Sequence, residues 1–307
     1  MEPFRKEKTM AGEGINRTTI ELPEEVSDEI LQKVQEESAV MQLAPQTELS
    51  GRGEEIPVIL GDPEAEWVNE TDDKPVSTPQ LTTKTIKPYT LAVIVPFSNQ
   101  FRRDAAKLYD ELVRRLPGTL GSKFDGTVFG KYAAPGENFD TLAACTAQNI
   151  GGTNTYEGLV AADIDIAEHD GILNGYVISP KARGVLLSAK DGNERPLFIN
   201  SVAEGAIPMI LGARTLQSKA AYKAGTGASA PNIVGVAGDW NMCRWGSVEG
   251  VQISIADQAS LTYGEGAEQK TINLFQKNMF AVRAEIEVGF RADTSVFNLL
   301  TTPYSAG

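Results

Sequence analysis

The residues best suited to chemistry in this chain are few, and they do not converge. The single histidine, His169, stands among Asp163, Asp165, Glu168 and Asp170. An imidazole beside carboxylates is a donor set for a divalent cation. On one helix, however, these side chains fan around the surface, so a solvated helix end is expected and no metal. Cys145 and Cys243 lie far apart and form no CxxC or CxxxH spacing; two buried thiols are expected in place of a disulfide framework or a zinc site. Gly225-Thr226-Gly227 lacks a preceding strand and a following helix, so it is not a dinucleotide turn. No GxSxG, P-loop or HExxH pattern occurs, which removes the common nucleophile, phosphate and zinc-protease arrangements. Asn16-Arg17-Thr18 and Asn69-Glu70-Thr71 match a glycosylation sequon, a signal that matters only in a secreted chain. No catalytic residue, cofactor-binding residue or metal ligand is assigned, and the chain is not expected to be an enzyme.

Bulk properties narrow the class further. The 307 residues are 41% hydrophobic and 22% charged, an ordinary globular composition with room for two core-bearing units. The net charge is −13. Affinity for phosphate comes from Lys and Arg, so tight nucleic-acid binding is not expected; the charge serves solubility. The longest apolar run, Leu91–Phe97, is too short to span a bilayer. The charged start, Met1-Glu2-Pro3-Phe4-Arg5-Lys6, carries no hydrophobic segment of a signal peptide. Cytoplasmic synthesis without a membrane is the expectation.

The elements are organised around Phe280–Phe290. Phe280, Val282, Ala284, Ile286, Val288 and Phe290 take every second position, the pattern of a strand with one buried and one wet face. Eleven residues at ~3.3 Å each give roughly 36 Å, about twice a typical strand. The helical counterpart is Leu108, Leu112, Leu116, Leu120, Phe124 and Val128 at i+4 steps, with Pro117-Gly118 predicting a kink or break. At ~1.5 Å per residue, Lys107–Phe129 spans roughly 34 Å, so helix and strand can bury their stripes along each other.

Upstream, residues 1–20 read as a polar tail, and Pro23 opens a helix with Val26, Ile30 and Val34 on one narrow stripe. Glu54–Leu60 and Ser77–Lys87 read as two strands around Gly61-Asp62-Pro63 and Asn69–Pro75, with little to bury of their own. An isolated two-stranded hairpin is marginal in water, so this ribbon needs support from another surface. Tyr89–Phe97 is almost wholly apolar and is expected to be buried on both faces. Residues 146–246 alternate helices and short strands: Tyr156–Asp170 as a helix with Gly171 as its C-cap, Tyr176–Ile178, a helix from Ser179-Pro180, Ala206–Leu211 and Ile233–Val236. They read as an α/β unit inserted into the first domain. Gly250–Ile255 returns to the long sheet, and Gly264–Lys270 is read as a loop.

This order of elements resembles the major capsid protein of tailed bacteriophages, the Hong Kong 97 type. Ile56-Pro57-Val58, Gly61-Asp62-Pro63, Ala65–Glu70 and Lys74–Ser77 look like that family's extended loop, and Leu91–Ser98 like the strand before its spine helix. Ser179-Pro180, Gly238-Asp239 and Asn278–Glu285 also recur there. The resemblance covers about residues 20–300. It implies an α+β, Hong Kong 97-like capsid fold with four regions: tail and N-arm (1–50), extended β-hairpin loop (51–88), peripheral domain with spine helix and long antiparallel strands (89–145 and 247–307), and inserted α/β axial domain (146–246).

The resemblance further implies a virion protein that assembles with itself as hexamers and pentamers into an icosahedral head. That shell encloses double-stranded DNA without sequence-specific binding. Trp67, Glu70, Asp72, Asp73, Lys74 and Lys84 are candidate inter-subunit contacts. Fewer than 25 residues precede the arm, so a separate scaffolding protein is expected, with portal and decoration proteins as further partners. Met10 is a second candidate start. Some members form a Lys–Asn isopeptide between loop and neighbour; Lys74, Lys84 and Asn298 are the residues in question, and no motif fixes a pairing. The alternative is an encapsulin-like nanocompartment shell, which shares the fold but begins with a helix where this chain has an extended arm.

Overall fold

The computed structural model describes residues 24–60, 80–99, 105–191, 193–198, 209–227, 230–264 and 269–304. Helix α1 (Glu24–Glu37) and the short α2 (Ala39–Leu43) lead into β1 (Gln46–Glu48). Strands β2 (Glu54–Leu60) and β3 (Gln80–Ile86) precede β4 (Tyr89–Ser98) and the long helix α3 (Ala105–Val128). Next come β5 (Thr146–Asn149), α4 (Thr155–Glu168), β6 (Gly175–Ile178), α5 (Pro180–Ser188), β7 (Met209–Ile210), β8 (Ala213–Gln217) and β9 (Asn232–Gly238). The chain closes with β10 (Cys243–Ser247), β11 (Gln252–Ala256), β12 (Ser260–Tyr263), β13 (Lys270–Asn273), β14 (Met279–Ala292) and β15 (Phe297–Thr302).

Strand β14 is the axis of the first sheet, as its alternation dictates. Phe280, Val282, Ala284, Ile286, Val288 and Phe290 are all buried, while Arg283 and Glu287 are exposed. Along one side β14 pairs with β4 from Met279↔Ser98 to Val288↔Tyr89. Along the other, β11 and β10 lie end to end, opposite 281–285 and 288–292 respectively. Parallel β1 extends the sheet beyond β10.

The expectation that β4 is buried on both faces is corrected. Thr90, Ala92, Ile94 and Pro96 are exposed, and only Tyr89, Leu91, Val93, Val95 and Phe97 pack toward the core. The reason is position: among the described residues β4 pairs with β14 alone. Such an edge strand tolerates Pro96, which lacks an N–H for a further neighbour.

The outer face of β14 is also less wet than alternation predicts. Gly289 is buried there because the base of the β2–β3 ribbon crosses it: a Cβ on Gly289 would lie 2.6 Å from the Lys87 carbonyl oxygen and 2.9 Å from Ile86 Cγ1. Only glycine permits that approach.

Helix α3 covers the inner face. It runs unbroken from Ala105 to Val128 with Pro117 inside, so no break follows from Pro117-Gly118. An interior proline costs about 3 kcal/mol. Burying Leu116, Leu120, Phe124 and Val128 contributes about 1.5–3 kcal/mol each, which outweighs that cost. Phe124, Phe139 and Phe290 form a ring cluster at centroid spacings of 6.1–6.4 Å. Across α3 lies α1, with Ile30 and Val34 fully buried. The side chains of Val26, Leu108 and Leu112 lie outside the described residues.

The second sheet has six strands in the order β5-β15-β9-β6-β8-β7. Its membership differs from the sequence-based boundaries in two places. Strand β15, expected with residues 247–307, sits between β5 and β9. Strand β10, mostly within 146–246, joins the long sheet. Phe297, Asn298, Leu299, Leu300 and Thr301 are consecutively buried, the mark of a central strand covered on both faces. Of the expected strand at Ala206–Leu211, Met209 and Ile210 form β7, Leu211 is in a turn, and 206–208 lie outside the described residues. The segment read as a loop at 264–270 lies between the paired strands β12 and β13, with Lys270 already the first residue of β13 and 265–268 outside the described residues. Helix α4 ends with His169 as C-cap and Asp170 in the left-handed region (φ 60°), before Gly171.

Candidate assembly surfaces

The ribbon is built from the pairing Glu54↔Ile86 through Leu60↔Gln80. Its root is fastened to its own subunit: Ile86 is fully buried, and Lys84 Nζ donates to the Ala292 carbonyl oxygen at 3.1 Å. Of the six contact candidates named from sequence, Lys84 is therefore engaged within its own chain. Trp67, Glu70, Asp72, Asp73 and Lys74 lie outside the described residues, as do both sequons.

Beside the ribbon root, the outer row of β4 presents Ala92, Ile94 and Pro96 to solvent, with Ile94 48% exposed. Register sets Ile94 against Arg283 and Ala92 against Glu285 on β14. Arg283 Nε lies 3.3 Å from Glu285 Oε1. Thr90, Glu249, Gln252, Glu285 and Glu287 line a shallow acidic cleft next to them. This face is apolar along one strand and acidic along the next. Sequence reasoning missed it by treating β4 as doubly covered, although Pro96 was a usable sign of an edge.

Two strand ends also project apolar side chains. Phe275, in the turn before β14, is 77% exposed. At the edge of the six-stranded sheet, Met209 and Leu211 are exposed, and Leu211 has a φ of 48°. A left-handed leucine is strained.

The candidate chemical groups stay apart. Among the described residues no three His, Cys, Asp or Glu side chains are placed to hold a metal. His169 Nδ1 lies 2.7 Å from the Asp165 carbonyl oxygen and is exposed. Cys145 and Cys243 are free and buried, and burial pushes both thiols up to about 12. Asn298 is fully buried, its Nδ2 donating to Asp165 Oδ2 at 2.8 Å.

One ionisable group stands out. Asp125 on α3 is fully buried, and desolvation pushes its carboxyl up to about 6, against the opposing effect of hydrogen bonds from Ser38, Ala39, Val40 and Ser218. No motif pointed to it. Its sequence sign is an acid directly beside the Leu120, Phe124, Val128 stripe.

Comparison with known proteins agrees with this architecture. The profile of the Phage capsid family matches residues 19–294. The probable major capsid protein gp17 of Mycobacterium phage D29 is 28% identical over 296 residues, covering 93% of this chain and 91% of that protein. The major capsid protein of Staphylococcus phage 80alpha is 22% identical over 282 residues, covering 90% and 83%. Among solved structures, a chain of Gordonia phage Cozz superposes with a TM-score of 0.67 at 19% identity, covering 88% of this chain and 87% of that one. A chain described as the capsid of an empty GTA particle gives a TM-score of 0.61 at 15% identity, covering 87% and 90%. The fold is the Hong Kong 97-like capsid fold, and the chain belongs to the phage capsid family.

Proposed function

We propose that this chain is a major capsid protein that closes with copies of itself, as hexamers and pentamers, into an icosahedral head around double-stranded DNA. The observation that carries the reading is the ribbon. Its two strands pair with each other, it is rooted at Ile86 and Lys84, and a two-stranded hairpin alone is marginal. The exposed row Ala92, Ile94 and Pro96 is an apolar bed of the kind such a ribbon requires, and in a shell it is offered by a neighbouring copy. The names carried by the relatives support the same reading. A net charge of −13 suits a wall along which packaged DNA slides without sticking.

In this reading the four regions keep their roles with adjusted edges. Residues 24–50 form the arm and 51–88 the extended loop. The long sheet with α3 is the peripheral domain, and the six-stranded sheet, including β15, is the axial domain.

Negative-stain microscopy of the purified protein tests the proposal. Closed polyhedral shells of uniform size are the expected result, and discrete small oligomers would overturn it. Shells isolated from infected cells should hold nuclease-protected DNA; protein cargo without DNA would point to a nanocompartment.

A further inference from the structure

The amino-terminal arm is attached through a junction whose hydrogen bonds are divided between distant parts of the chain. Helix α2 has only five residues, too short to hold its shape alone. Its first amides need acceptors outside the helix. Met41 N donates to Ser38 Oγ at 3.2 Å, an ordinary N-cap. Ala39 N and Val40 N donate instead to Asp125 Oδ2 and Oδ1, at 2.9 and 3.3 Å. Ser38 Oγ donates to Asp125 Oδ1 at 2.5 Å. The remaining donor is Ser218 Oγ, 3.4 Å from Oδ2, in the turn after β8 of the six-stranded sheet. One carboxylate on the spine helix thus joins the arm, the spine and the second sheet.

We propose that Asp125 is the latch that fixes the α1–α2 elbow against its own subunit, and so sets the direction in which the arm leaves it. A residue there for packing alone would be apolar, because a buried carboxylate is costly unless donors surround it. Here four donors from the arm and the second sheet do so, and no cation pairs with it among the described residues. Of the charged residues on the elements around it, Glu37 at the end of α1, Lys123 on α3 and Lys219 beside Ser218 lie within two residues in sequence of Asp125 or of its partners, and all three are exposed. Elsewhere the arm is held by the buried side chains of Ile30, Val34 and Val40, by Trp245 Nε1 to the Ala44 carbonyl oxygen at 3.1 Å, by Arg214 to Gln42 at 3.4 Å, and by three residues of β1 on β10. Release at Asp125 would therefore loosen the α1–α2 elbow while α1 and β1 stay packed.

The latch carries a pH signature. Its carboxyl titrates at about 6 when docked and at 3.8 when solvated. The docked form holds its proton more tightly, so docking is favoured as pH falls and release is favoured above about 6. Between pH 5 and pH 8 the opening equilibrium should rise about tenfold.

The test is hydrogen exchange of the purified full-length protein, corrected for intrinsic rates and read over residues 39–44 from pH 5 to pH 8. Wild type should lose protection about tenfold across that range. Asp125→Asn should lose the pH step and exchange at least tenfold faster at pH 5. Ser38→Ala should be faster at every pH while keeping the step; if Asp125→Asn does not fold, exchange in Ser38→Ala equal to wild type overturns the latch. Arm protection in Asp125→Asn equal to wild type, or an unchanged pH step in that variant, overturns it as well. The consequence for shell geometry rests on the capsid reading, whereas the exchange measurement does not. Wild-type protein that never forms shells would sink that reading and leave the latch to be judged by its own data.

Discussion

Lys84 and Ala292 are 208 residues apart in the chain, yet the ammonium of one donates to the carbonyl oxygen of the other at 3.1 Å. This bond ties the ribbon to the last residue of β14, close to where Gly289 lets the Ile86–Lys87 backbone pass. The ribbon is thus anchored at its base, and its direction is set before any neighbour is met. Replacing Lys84 by Met keeps the aliphatic stem and removes the donor. With Lys84 partly exposed, a loss of about 1 kcal/mol is expected, read as faster amide exchange over 54–60 and 80–86 with a nearly unchanged Tm. Gly289→Val should act more strongly, by about 1–3 kcal/mol, because the new side chain meets backbone that cannot yield. Equal exchange in wild type and Gly289→Val would show that the root does not depend on this crossing.

Ile94 separates folding from assembly. Its side chain is half exposed on the outer face of an edge strand, so Ile94→Asp should change subunit stability by no more than about 0.5 kcal/mol. The same change puts a charge in the middle of the apolar row. Far-UV circular dichroism should match wild type, while light scattering and microscopy should show shell yield reduced at least tenfold. Normal shells from Ile94→Asp would remove this row from the assembly surface.

Asn298 bears on covalent cross-linking. It is fully buried and bonded to Asp165, which puts it out of reach of a neighbour's lysine. Denaturing gels of assembled particles should show monomer-sized bands. A ladder of multimers that vanishes in Asn298→Ala would refute this. Asn298→Asp should cost about 3 kcal/mol or more, since it buries an unpaired carboxylate next to Asp165.

Cys145 and Cys243 should be inert. Both are buried, with thiols pushed up to about 12, so little thiolate exists at pH 8. A thiol-reactive disulfide reagent should label neither in the native protein and both in denaturant. Rapid stoichiometric labelling of native protein would indicate that these sites open readily.

Much of the fold was legible because some patterns are local. The alternation of Phe280 through Phe290 fixes a half-buried strand whatever it pairs with. The i+4 stripe through Leu116, Leu120, Phe124 and Val128 fixes a helix strongly enough to carry Pro117. The poverty of apolar residues in Ser77–Lys87 marks a ribbon in need of support. The ordered set of short motifs pointed to the capsid family.

Other features depended on what lies beside a residue in space. Tyr89–Phe97 reads as doubly buried, yet it is an edge strand because nothing pairs beyond it among the described residues. Phe297–Thr302 follows the long strand in sequence, yet the 3-10 turn at Thr294–Val296 carries it into the other sheet. Asp125 reads as one more helix acid, and its role exists only because Ser38, Ala39, Val40 and Ser218 are brought to it from about ninety residues away. Periodicity records which face of an element is apolar. Which neighbour covers that face, and which donors meet a buried charge, is settled by packing between segments that share no local sequence.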